Sequence, residues 1–272
     1  MDISIIIVNY NSRDLLINCV NSIVNNLKSI DYEIIVVDNH STDNSLELCK
    51  QLNYKEVVFV EPNENLGFSR ANNLGVRHAS GKILHFLNPD TEIDHRLIND
   101  YNKVLVDFNN HEQKVYVNPM RDADGTVYYG KNYLPDSINY LTYLFHRSQT
   151  KWYYIGATVI MSRKTFDQVG GWNDCIFMYG EDADIFYRIN KQRIPIEELK
   201  TIIFHYGGGT SKNAFSSMER EILIQKSLRI YYKSNNLSRF NYVLFQIMMV
   251  LSFLRRPRRA WWQICAIAKS FE

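Results

Sequence analysis

The segment FLNPDTEID, residues 86–94, carries an apolar strand directly into two side chains that hold oxygen atoms, Asn88 and Asp90. Amide and carboxylate oxygens are ligands that hard divalent cations accept. The segment also has the composition of an ordinary turn, because Asn, Pro and Asp favour turns. The residue types therefore leave two interpretations open, a binding site at a strand end and a plain turn.

Three earlier apolar segments are followed by polar residues in the same way. The residues concerned are Asn9, Tyr10 and Asn11, then Asp38 and Asn39, then Glu61, Pro62 and Asn63. For any one segment the plain alternative is a turn or a helix cap, for example at Ser12 or at Thr42 and Asp43. A set of four polar ends along one edge of a sheet predicts a binding site.

Two adjacent acids, Glu181 and Asp182, follow a glycine pair, a tryptophan and a Tyr179–Gly180 turn. An ordinary helix start explains the acids by themselves, because the helix dipole favours carboxylates near a helix N-terminus. The setting favours a second interpretation, in which a carboxylate at a helix N-terminus faces the same edge of the sheet. Within about 3 Å of a hydroxyl group, such a carboxylate acts as a general base.

These residues need a sheet to position them, and the pattern up to about residue 120 predicts one. Strands are predicted at Ile3–Val8, Glu33–Val37, Val57–Val60, Lys82–Leu87 and Val115–Val117, and helices near 13–28, 43–52, 69–79 and 95–108. Alternation at this spacing implies right-handed crossovers and a mostly parallel sheet with helices on both faces. Ligands of such sheets bind at the carboxyl ends of the strands.

The pattern is less regular after residue 120. Residues 121–155 form an aromatic-rich insertion, whose tyrosines either stack on sugar rings or cover a sheet. The later elements are predicted as a strand at Ile155–Met161, a helix at Lys164–Val169, a helix after Asp182 and a strand at Thr201–Phe204 that ends in His205.

The composition limits the class of protein. A chain of 272 residues with 46% hydrophobic residues is long enough for one large α/β domain. Its net charge of +2 argues against nucleic-acid binding, and its four widely spaced cysteines argue against a zinc site or a disulfide framework. The N-terminal residues resemble a strand more than a signal peptide, and the longest apolar stretch is shorter than the roughly 20 residues of a spanning helix. We therefore expect a cytoplasmic protein.

Seven segments occur in the order that is found in one enzyme family. They are SIIIVNYN at 4–11, EIIVVDNHSTD at 33–43, NLGFSRANNLG at 65–75, FLNPD at 86–90, GATVIMSRKTFDQVGGW at 156–172, YGEDADIFYRI at 179–189 and FHYGGGTSK at 204–212. The ordered set resembles the inverting family 2 glycosyltransferases with the GT-A fold, especially the subgroup that includes bacterial rhamnosyltransferases. This resemblance implies an α/β fold with a mostly parallel central sheet flanked by helices, here with a helical C-terminal extension.

The resemblance places the donor site at the strand ends. Asp38 would accept a hydrogen bond from the imide N–H of uracil or thymine. The other donor-binding residues that it implies are Asn9, Asn11, Asn39, Gly67, Arg70, Asn72, Asn73, Asn88 and Asp90. Gly67 would let the backbone approach a phosphate closely, although a plain turn also explains it.

The family's Asp-x-Asp motif corresponds to Asn88, Pro89 and Asp90. Asp90 is therefore expected to help hold a divalent cation, Mg²⁺ or Mn²⁺, beside the donor diphosphate, with His205 as a further ligand. A buried histidine with a backbone hydrogen bond is the alternative for His205. Asn88 departs from the acidic first position of the motif, and because an amide carries no charge, the dependence on metal is left open.

Asp182 matches the family's catalytic base, which deprotonates the acceptor hydroxyl while the diphosphate leaves from the opposite face of the anomeric carbon. Glu181 would position the acceptor or stabilise the helix start. Trp172, Tyr179 and Gly180 are expected to contact the acceptor. One carboxylate is sufficient for an inverting transfer, so the paired carboxylates of a glycosidase are not implied.

The chain is expected to divide into a catalytic domain and a tail. The predicted parts are a nucleotide-binding half at 1–120 and an acceptor and catalytic half at 121–236, together the domain 1–236, and a basic amphipathic helical tail at 237–272. Within the tail, segment 241–269 combines apolar residues, four arginines and a tryptophan pair, which is typical of helices in a membrane interface. The alternatives are a helical hairpin that closes the catalytic domain and a contact in a homodimer.

The sequence thus predicts an inverting glycosyltransferase at the inner face of a bacterial cell membrane. It would move a sugar from a nucleoside diphosphate to a hydroxyl of a glycan or polyprenyl-linked acceptor in surface polysaccharide synthesis. The subgroup favours dTDP-L-rhamnose as donor, and a UDP-sugar is the alternative. A non-catalytic sugar-nucleotide-binding protein is a second alternative, because Asn88 weakens the metal site. An oxidoreductase or a P-loop enzyme is disfavoured, because the sequence lacks both glycine-rich motifs.

Overall fold

The computed structural model describes residues 1–207, 215–252 and 257–271. Part of the family-like segment at 204–212 lies outside these residues, as do Arg255 and Arg256 and the side chains of Arg258 and Arg259.

A seven-stranded sheet forms the centre of the fold. Its strands, in spatial order, are β12 (Ile196–Glu198), β6 (Val115–Val117), β11 (Thr158–Ser162), β4 (Ile83–Leu87), β1 (Ile3–Asn9), β2 (Tyr32–Asp38) and β3 (Val57–Val60). Strand β1 pairs in parallel with β2 and β4, β2 with β3, and β6 with β12. Strand β11 runs antiparallel to both of its neighbours, β4 and β6. The prediction of a mostly parallel sheet is confirmed.

Helices cover both faces of this sheet. The helices in the described parts of the chain are α1 (Asp14–Asn26), α2 (Ser45–Gln51), α3 (Gly67–His78), α4 (Leu97–Asn109), α5 (Ser137–Leu144), α6 (Arg163–Val169), α7 (Glu181–Lys191), α8 (Ser217–Ser234), α9 (Arg239–Ser252) and α10 (Pro257–Lys269). Helices α1, α2 and α4 pack on one face of the sheet and α3, α6 and α7 on the other, whereas α5, α8 and α9 share a separate small core. Successive residues of β1 belong to opposite cores, because side chains of a strand alternate between its faces. Ile5 packs in the core that contains α1 and α4, and Ile6 packs in the core that contains α3 and α7.

The register of the parallel strands brings their polar ends to one edge. Asn9 at the end of β1 lies opposite Asp38 at the end of β2. On the other side of β1, Ile6 lies opposite Phe86 of β4, so Asn88 and Asp90 follow at the same edge. The sheet therefore gathers the strand ends, as the strand and helix pattern predicts.

Two smaller sheets hold the remaining strands. One has the order β5 (Thr91–Glu92), β13 (Ile203–His205), β7 (Met120–Arg121) and β8 (Val127–Tyr128), and the other pairs β9 (Lys131–Tyr133) with β10 (Trp152–Tyr154). The strand predicted at Thr201–Phe204 is β13, which begins later, at Ile203, and extends to His205. The reason is that the pairing with β5 continues to His205, which lies opposite Thr91.

The strand predicted at Ile155–Met161 begins only at Thr158. Gly156 and Ala157 form a turn instead. The carbonyl of Ala157 accepts a hydrogen bond of 2.9 Å from the backbone of Asn88, so this turn lies beside the end of β4.

The C-terminal helices pack against the aromatic insertion. Tyr231 and Tyr232 of α8 share a small core with Phe245 of α9 and Tyr140 of α5. The guanidinium of Arg229 lies 4.1 Å from the centre of the Phe271 ring, which follows α10. Among the helices in the described parts of the chain, none has the length and apolarity required to cross a bilayer.

Candidate active site

Two cavities meet at the N-terminus of α7. The first, here called the strand-tip cavity, has a volume of about 250 Å³ and is lined by residues that include Asn39, Gly67, Asn88, Asp90, Glu181 and His205. The second, here called the helical cavity, has a volume of about 740 Å³ and lies between the aromatic insertion, α7 and the C-terminal helices. Asp182, Tyr179 and Ile155 line both cavities. A carboxylate thus lies where the two spaces join.

The ends of β1 and β2 are joined by a hydrogen-bond network around Asp38. The fully buried amide of Asn9 donates to Oδ1 of Asp38 at 2.6 Å and to the hydroxyl of Ser45 at 2.9 Å. The backbone N–H of Ser41 donates to the other oxygen of Asp38 at 3.0 Å. Asn11 supports the same loop, because its side-chain oxygen accepts from the backbone of Thr42 at 2.7 Å.

Asp38 does not line the strand-tip cavity. It lies instead in a neighbouring cleft of about 260 Å³, with Ser41 and Asp43 among the other lining residues. Asn39 connects the two spaces, since it follows Asp38 in the chain and lines the strand-tip cavity. An elongated ligand would therefore have to extend from the cleft into the cavity to contact both Asp38 and Asp90.

Gly67 begins α3 at a point where two backbones nearly touch. Its φ is +75°, and a Cβ added there would lie 2.4 Å from the carbonyl oxygen of Phe177. The backbone N–H of Phe68 donates to that carbonyl at 2.8 Å. Asn39 fixes the approach to the helix, because it donates to Asn65 and accepts from the backbone of Leu66, both at 2.7 Å. Only glycine fits at this close contact.

Three further residues predicted to bind the donor, Arg70, Asn72 and Asn73, also line neither the strand-tip cavity nor the helical cavity. Arg70 is exposed and forms an ion pair with Glu64 at 3.7 Å, and Asn72 donates to the carbonyl of Phe68 at 3.0 Å. Asn73 donates to the carbonyl of Trp172 at 2.8 Å and accepts from its backbone N–H at 3.1 Å.

Trp172 itself is only 1% exposed, and its ring packs edge-on against Phe68 and Phe86. Because almost no surface of this tryptophan is accessible, we correct its assignment from acceptor contact to core residue. Its ring lies below Gly156, which lines the strand-tip cavity. Trp172 therefore supports the cavity wall from behind.

Asp90 and His205 face each other at the wall of the strand-tip cavity. Both side chains are buried, and Nε2 of His205 lies 3.5 Å from Oδ1 of Asp90. The hydroxyl of Tyr128 lies 2.9 Å from Nδ1 of the same ring and so holds the imidazole in place. The described residues contain no group of three or more His, Cys, Asp or Glu side chains suited to a metal ion. Asp90 and His205 are thus two side chains of ligand type, and a metal ion held by them would need its remaining ligands from outside the protein.

Glu181 and Asp182 begin α7 under opposing electrostatic influences. The helix N-terminus favours a negative charge, whereas burial favours the neutral carboxyl form. Burial raises the pKa of Asp182, against the lowering effect of hydrogen bonds from backbone N–H groups that include Ala183. Burial and the nearby Asp182 charge raise the pKa of Glu181, whose Oε2 has no hydrogen-bond partner among the described residues.

The turn before α7 has an unusual backbone. Tyr179 has a φ of 65° and Gly180 a φ of 110°, so two successive residues lie at positive φ. Helix α8 closes over this turn, because the hydroxyl of Ser227 donates to the carbonyl of Met178 at 3.0 Å. The turn directs α7 so that its first two side chains reach the cavities.

Asp184 anchors α7 and was not singled out from the sequence. It is fully buried, and its Oδ2 accepts from Nη2 of Arg188 at 2.6 Å. Its Oδ1 accepts from the amide of Asn235 at 2.8 Å. The spacing of Asp184 and Arg188 on one helix face is a signal that could have identified this ion pair.

Other lining residues were also missed. They are Asn65, Gly156, Phe177 and Met178 in the strand-tip cavity, and Arg220 and Gln225 in the helical cavity. Asn65 stands two residues before Gly67 in a segment that the family resemblance includes, so its turn composition was a usable signal. Gly156 opens another segment of that resemblance. The remaining residues have no local pattern, because tertiary contacts alone bring them together.

Comparison with known proteins finds two family models that match this chain. The model for glycosyl transferase family 2 matches residues 4–170, and a model for the N-terminal domain of galactosyltransferase matches residues 141–207. A low-salt glycan biosynthesis hexosyltransferase, Agl10 of Haloferax volcanii, is 27% identical over 74% of this chain and 66% of its own length. A poly(ribitol-phosphate) beta-glucosyltransferase of Bacillus spizizenii is 41% identical over 34% of this chain and 15% of its own length.

A solved structure of Staphylococcus aureus TarS, residues 1–349 in complex with UDP-GlcNAc, shares the fold. It has a TM-score of 0.61 at 16% identity, covering 93% of this chain and 73% of that chain. Among the curated relatives, by contrast, the chain spans slightly under two thirds of the Haloferax protein and a small part of the Bacillus protein. The fold class, mixed α/β with a central sheet flanked by helices, matches this GT-A-like neighbour.

Proposed function

The chain belongs to glycosyl transferase family 2, and from this premise we propose that it transfers a hexose from a nucleoside diphosphate sugar to an acceptor hydroxyl, with inversion at the anomeric carbon. The observation that carries the proposal is the position of Asp182, which lines both cavities. A base at such a junction contacts an acceptor on one side while the donor occupies the other.

The transfer needs one proton acceptor and a leaving group on the opposite side. Asp182 takes the proton of the acceptor hydroxyl, whose oxygen then bonds to the anomeric carbon as the bond from that carbon to the diphosphate oxygen breaks. Because burial raises the pKa of Asp182, the carboxylate is a stronger base than an exposed aspartate. Glu181 lines the strand-tip cavity and not the helical one, which favours a contact with the donor sugar.

The strand ends supply the donor site in this proposal. Asp38 and Asn9, held in one network, would bind the pyrimidine ring in their cleft, and Asn39 and Gly67 would line the path to the diphosphate. When a divalent cation is bound, Asp90 and His205 would hold it, and it would neutralise charge on the departing diphosphate. Asn88 adds an amide oxygen to the same wall.

The relatives change the preferred donor. The sequence resemblance favours dTDP-L-rhamnose, whereas the relatives' names describe a hexosyltransferase and a beta-glucosyltransferase, and the structural neighbour was solved with UDP-GlcNAc. We therefore propose a UDP-hexose as the donor. A rhamnosyl donor, dTDP-L-rhamnose, is the competing possibility. Both donors contain a pyrimidine whose imide N–H would donate a hydrogen bond to Asp38.

The C-terminal helices support a membrane-associated acceptor. Helix α9 exposes Phe240, Val243, Ile247 and Leu251 by half or more of each side chain, at spacings that place them on one face. The four nearby arginines would favour an anionic surface. We propose that this face contacts the inner surface of the membrane and that the acceptor is a glycan or polyprenyl-linked saccharide. A homodimer contact through the same face is the alternative.

One panel of donors tests the proposal. The purified chain is incubated with UDP-glucose, UDP-GlcNAc, UDP-galactose and dTDP-L-rhamnose, each with Mn²⁺ or with EDTA, and nucleotide release is measured. We expect release from a UDP-hexose that exceeds release from dTDP-L-rhamnose at least tenfold. If the chain binds one of these donors but never releases the nucleotide, with any acceptor, it is a non-catalytic binding protein and the proposal fails.

A further inference from the structure

The helical cavity has walls from widely separated parts of the chain. One side is built from the aromatic insertion and α7, including Tyr133, Tyr153 and Asp182, and the other from α8, α9 and α10. Its volume of about 740 Å³ is within the range of small-molecule sites. The cavity is therefore large enough for more than the hydroxyl-bearing ring that Asp182 would contact.

The wall opposite Asp182 combines apolar and polar side chains. Met249 and Trp262 supply apolar surface, and Gln225 and Gln263 supply amides although both are more than nine-tenths buried. The hydroxyl of Tyr231, a residue 1% exposed, has no hydrogen-bond partner among the described residues. Buried polar groups without partners are costly, so a polar ligand is expected to satisfy them.

Arg220 is the single cationic side chain among the described residues that line this cavity. Its Nε atom is buried and has no hydrogen-bond partner in the described parts of the chain. A guanidinium has five N–H donors in a planar fork that matches carboxylate and phosphate oxygens. An unpaired buried donor on a charged group is more costly than on a neutral one, which favours an anionic partner.

The acids among the described residues that line the helical cavity are Asp182 and Glu221, and neither accepts a hydrogen bond from Nε of Arg220. Glu221 accepts a hydrogen bond of 3.2 Å from Gln225, and Asp182 lies at the junction with the strand-tip cavity. The donor diphosphate is a poor candidate partner, because Arg220 does not line the strand-tip cavity, where Asp90 and His205 lie. The remaining anion is one that the acceptor carries.

We propose that the helical cavity is the acceptor site and that Arg220 binds an anionic group of the acceptor, a phosphate or a uronic carboxylate. The proposal rests on the proposed function, since it assumes that Asp182 receives the acceptor hydroxyl. It adds the chemical class of the acceptor: a saccharide or polyol that bears a negative charge near the reacting hydroxyl.

Binding of small probes tests this without knowledge of the natural acceptor. Glucose 6-phosphate, glucuronate and glucose are titrated into the UDP-saturated protein, and binding is followed by saturation-transfer NMR and calorimetry. We expect glucose 6-phosphate or glucuronate to bind at least tenfold more tightly than glucose. The probe that binds more tightly identifies the anion as phosphate or carboxylate.

Variants locate the effect. Arg220→Gln should weaken binding of the anionic probe at least tenfold, and Arg220→Lys should restore part of it. Lys226→Gln is the matched control. Lys226 is exposed on the same helix, and its substitution removes the same positive charge. The affinity of each variant for UDP reports whether its fold is intact.

Two results would overturn the proposal. One is equal affinity of the parent protein for glucose and for both anionic probes, and the other is unchanged anion binding in Arg220→Gln. Both can occur in a protein that still releases nucleotide from its donor. A failure of this inference is thus distinguishable from a failure of the glycosyltransferase assignment, in which no donor is turned over.

Discussion

The side-chain amide of Asn235 donates a hydrogen bond of 2.8 Å to Oδ1 of Asp184, which joins the end of α8 to the helix that begins with Glu181 and Asp182. The other oxygen of Asp184 is paired with Arg188. One fully buried carboxylate therefore links α7 to the end of α8. Because α7 lines both cavities and α8 lines the helical cavity, this hydrogen bond joins two elements of the cavity walls.

Asp184→Asn should lower the free energy of unfolding by about 3 kcal/mol, because it leaves the partly buried Arg188 without its counter-ion. Urea unfolding of the purified variant measures the loss. Asp94→Asn is the control, since Asp94 pairs with Arg96 at a more exposed site, and it should cost less than about 1 kcal/mol. Equal losses in the two variants would show that Asp184 has no special anchoring role.

Gly67→Ala should be destabilising for two reasons, the positive φ and the 2.4 Å contact with the carbonyl of Phe177. Gly125→Ala separates them, because Gly125 has a φ of +87° with no atom within 4 Å of an added Cβ. Backbone strain alone costs about 1–2 kcal/mol. We expect Gly67→Ala to exceed Gly125→Ala by at least about 1 kcal/mol in urea unfolding and to weaken UDP binding. Similar losses would exclude the close contact as a constraint.

Glu181→Gln should stabilise the protein at alkaline pH and have little effect near pH 4. The pKa of Glu181 is raised by burial and by Asp182, so the folded state binds a proton more strongly than the unfolded state. The protein then loses stability as the pH rises from the ordinary pKa of 4.5 through the raised pKa of the folded state. Thermal unfolding between pH 4 and pH 9 measures this, and a variant whose pH dependence equals that of the parent would contradict it.

Tyr128→Phe should raise the Mn²⁺ concentration needed for half-maximal donor turnover about 10- to 100-fold, as removal of an outer hydrogen bond to a metal ligand does. The phenol lies 2.9 Å from Nδ1 of His205 and orients the ring. Tyr206→Phe is the control, because Tyr206 donates instead to Glu92 at 2.8 Å. Direct Mn²⁺ binding in the presence of UDP is the second readout, and equal affinities in both variants would remove Tyr128 from this role.

The strand-tip half of the site follows from local patterns. Apolar segments that end in Asn9, Asp38 and Asn88 predict strands and turns, and parallel topology then brings their carboxyl ends to one edge. The acids at 181 and 182 are predicted at a helix start and lie there. Short-range periodicity and turn chemistry were sufficient for these residues.

The helical cavity could not be predicted in the same way. Its walls depend on contacts between residues such as Tyr153, Arg220 and Trp262, which lie in segments without a shared period. Trp172 shows the converse error, because a tryptophan beside a glycine pair has the composition of a binding loop yet is buried in the core. Side-chain direction depends on tertiary packing, which one sequence does not report.

The most direct test of the central claim is the transfer rate of Asp182→Asn alongside its affinity for UDP. Asparagine keeps the size of the side chain and removes the proton acceptor, so transfer should fall about 10²- to 10⁴-fold while UDP affinity stays within about threefold. A variant that binds UDP and transfers the sugar at the parental rate would contradict the assignment of Asp182 as the base between donor and acceptor.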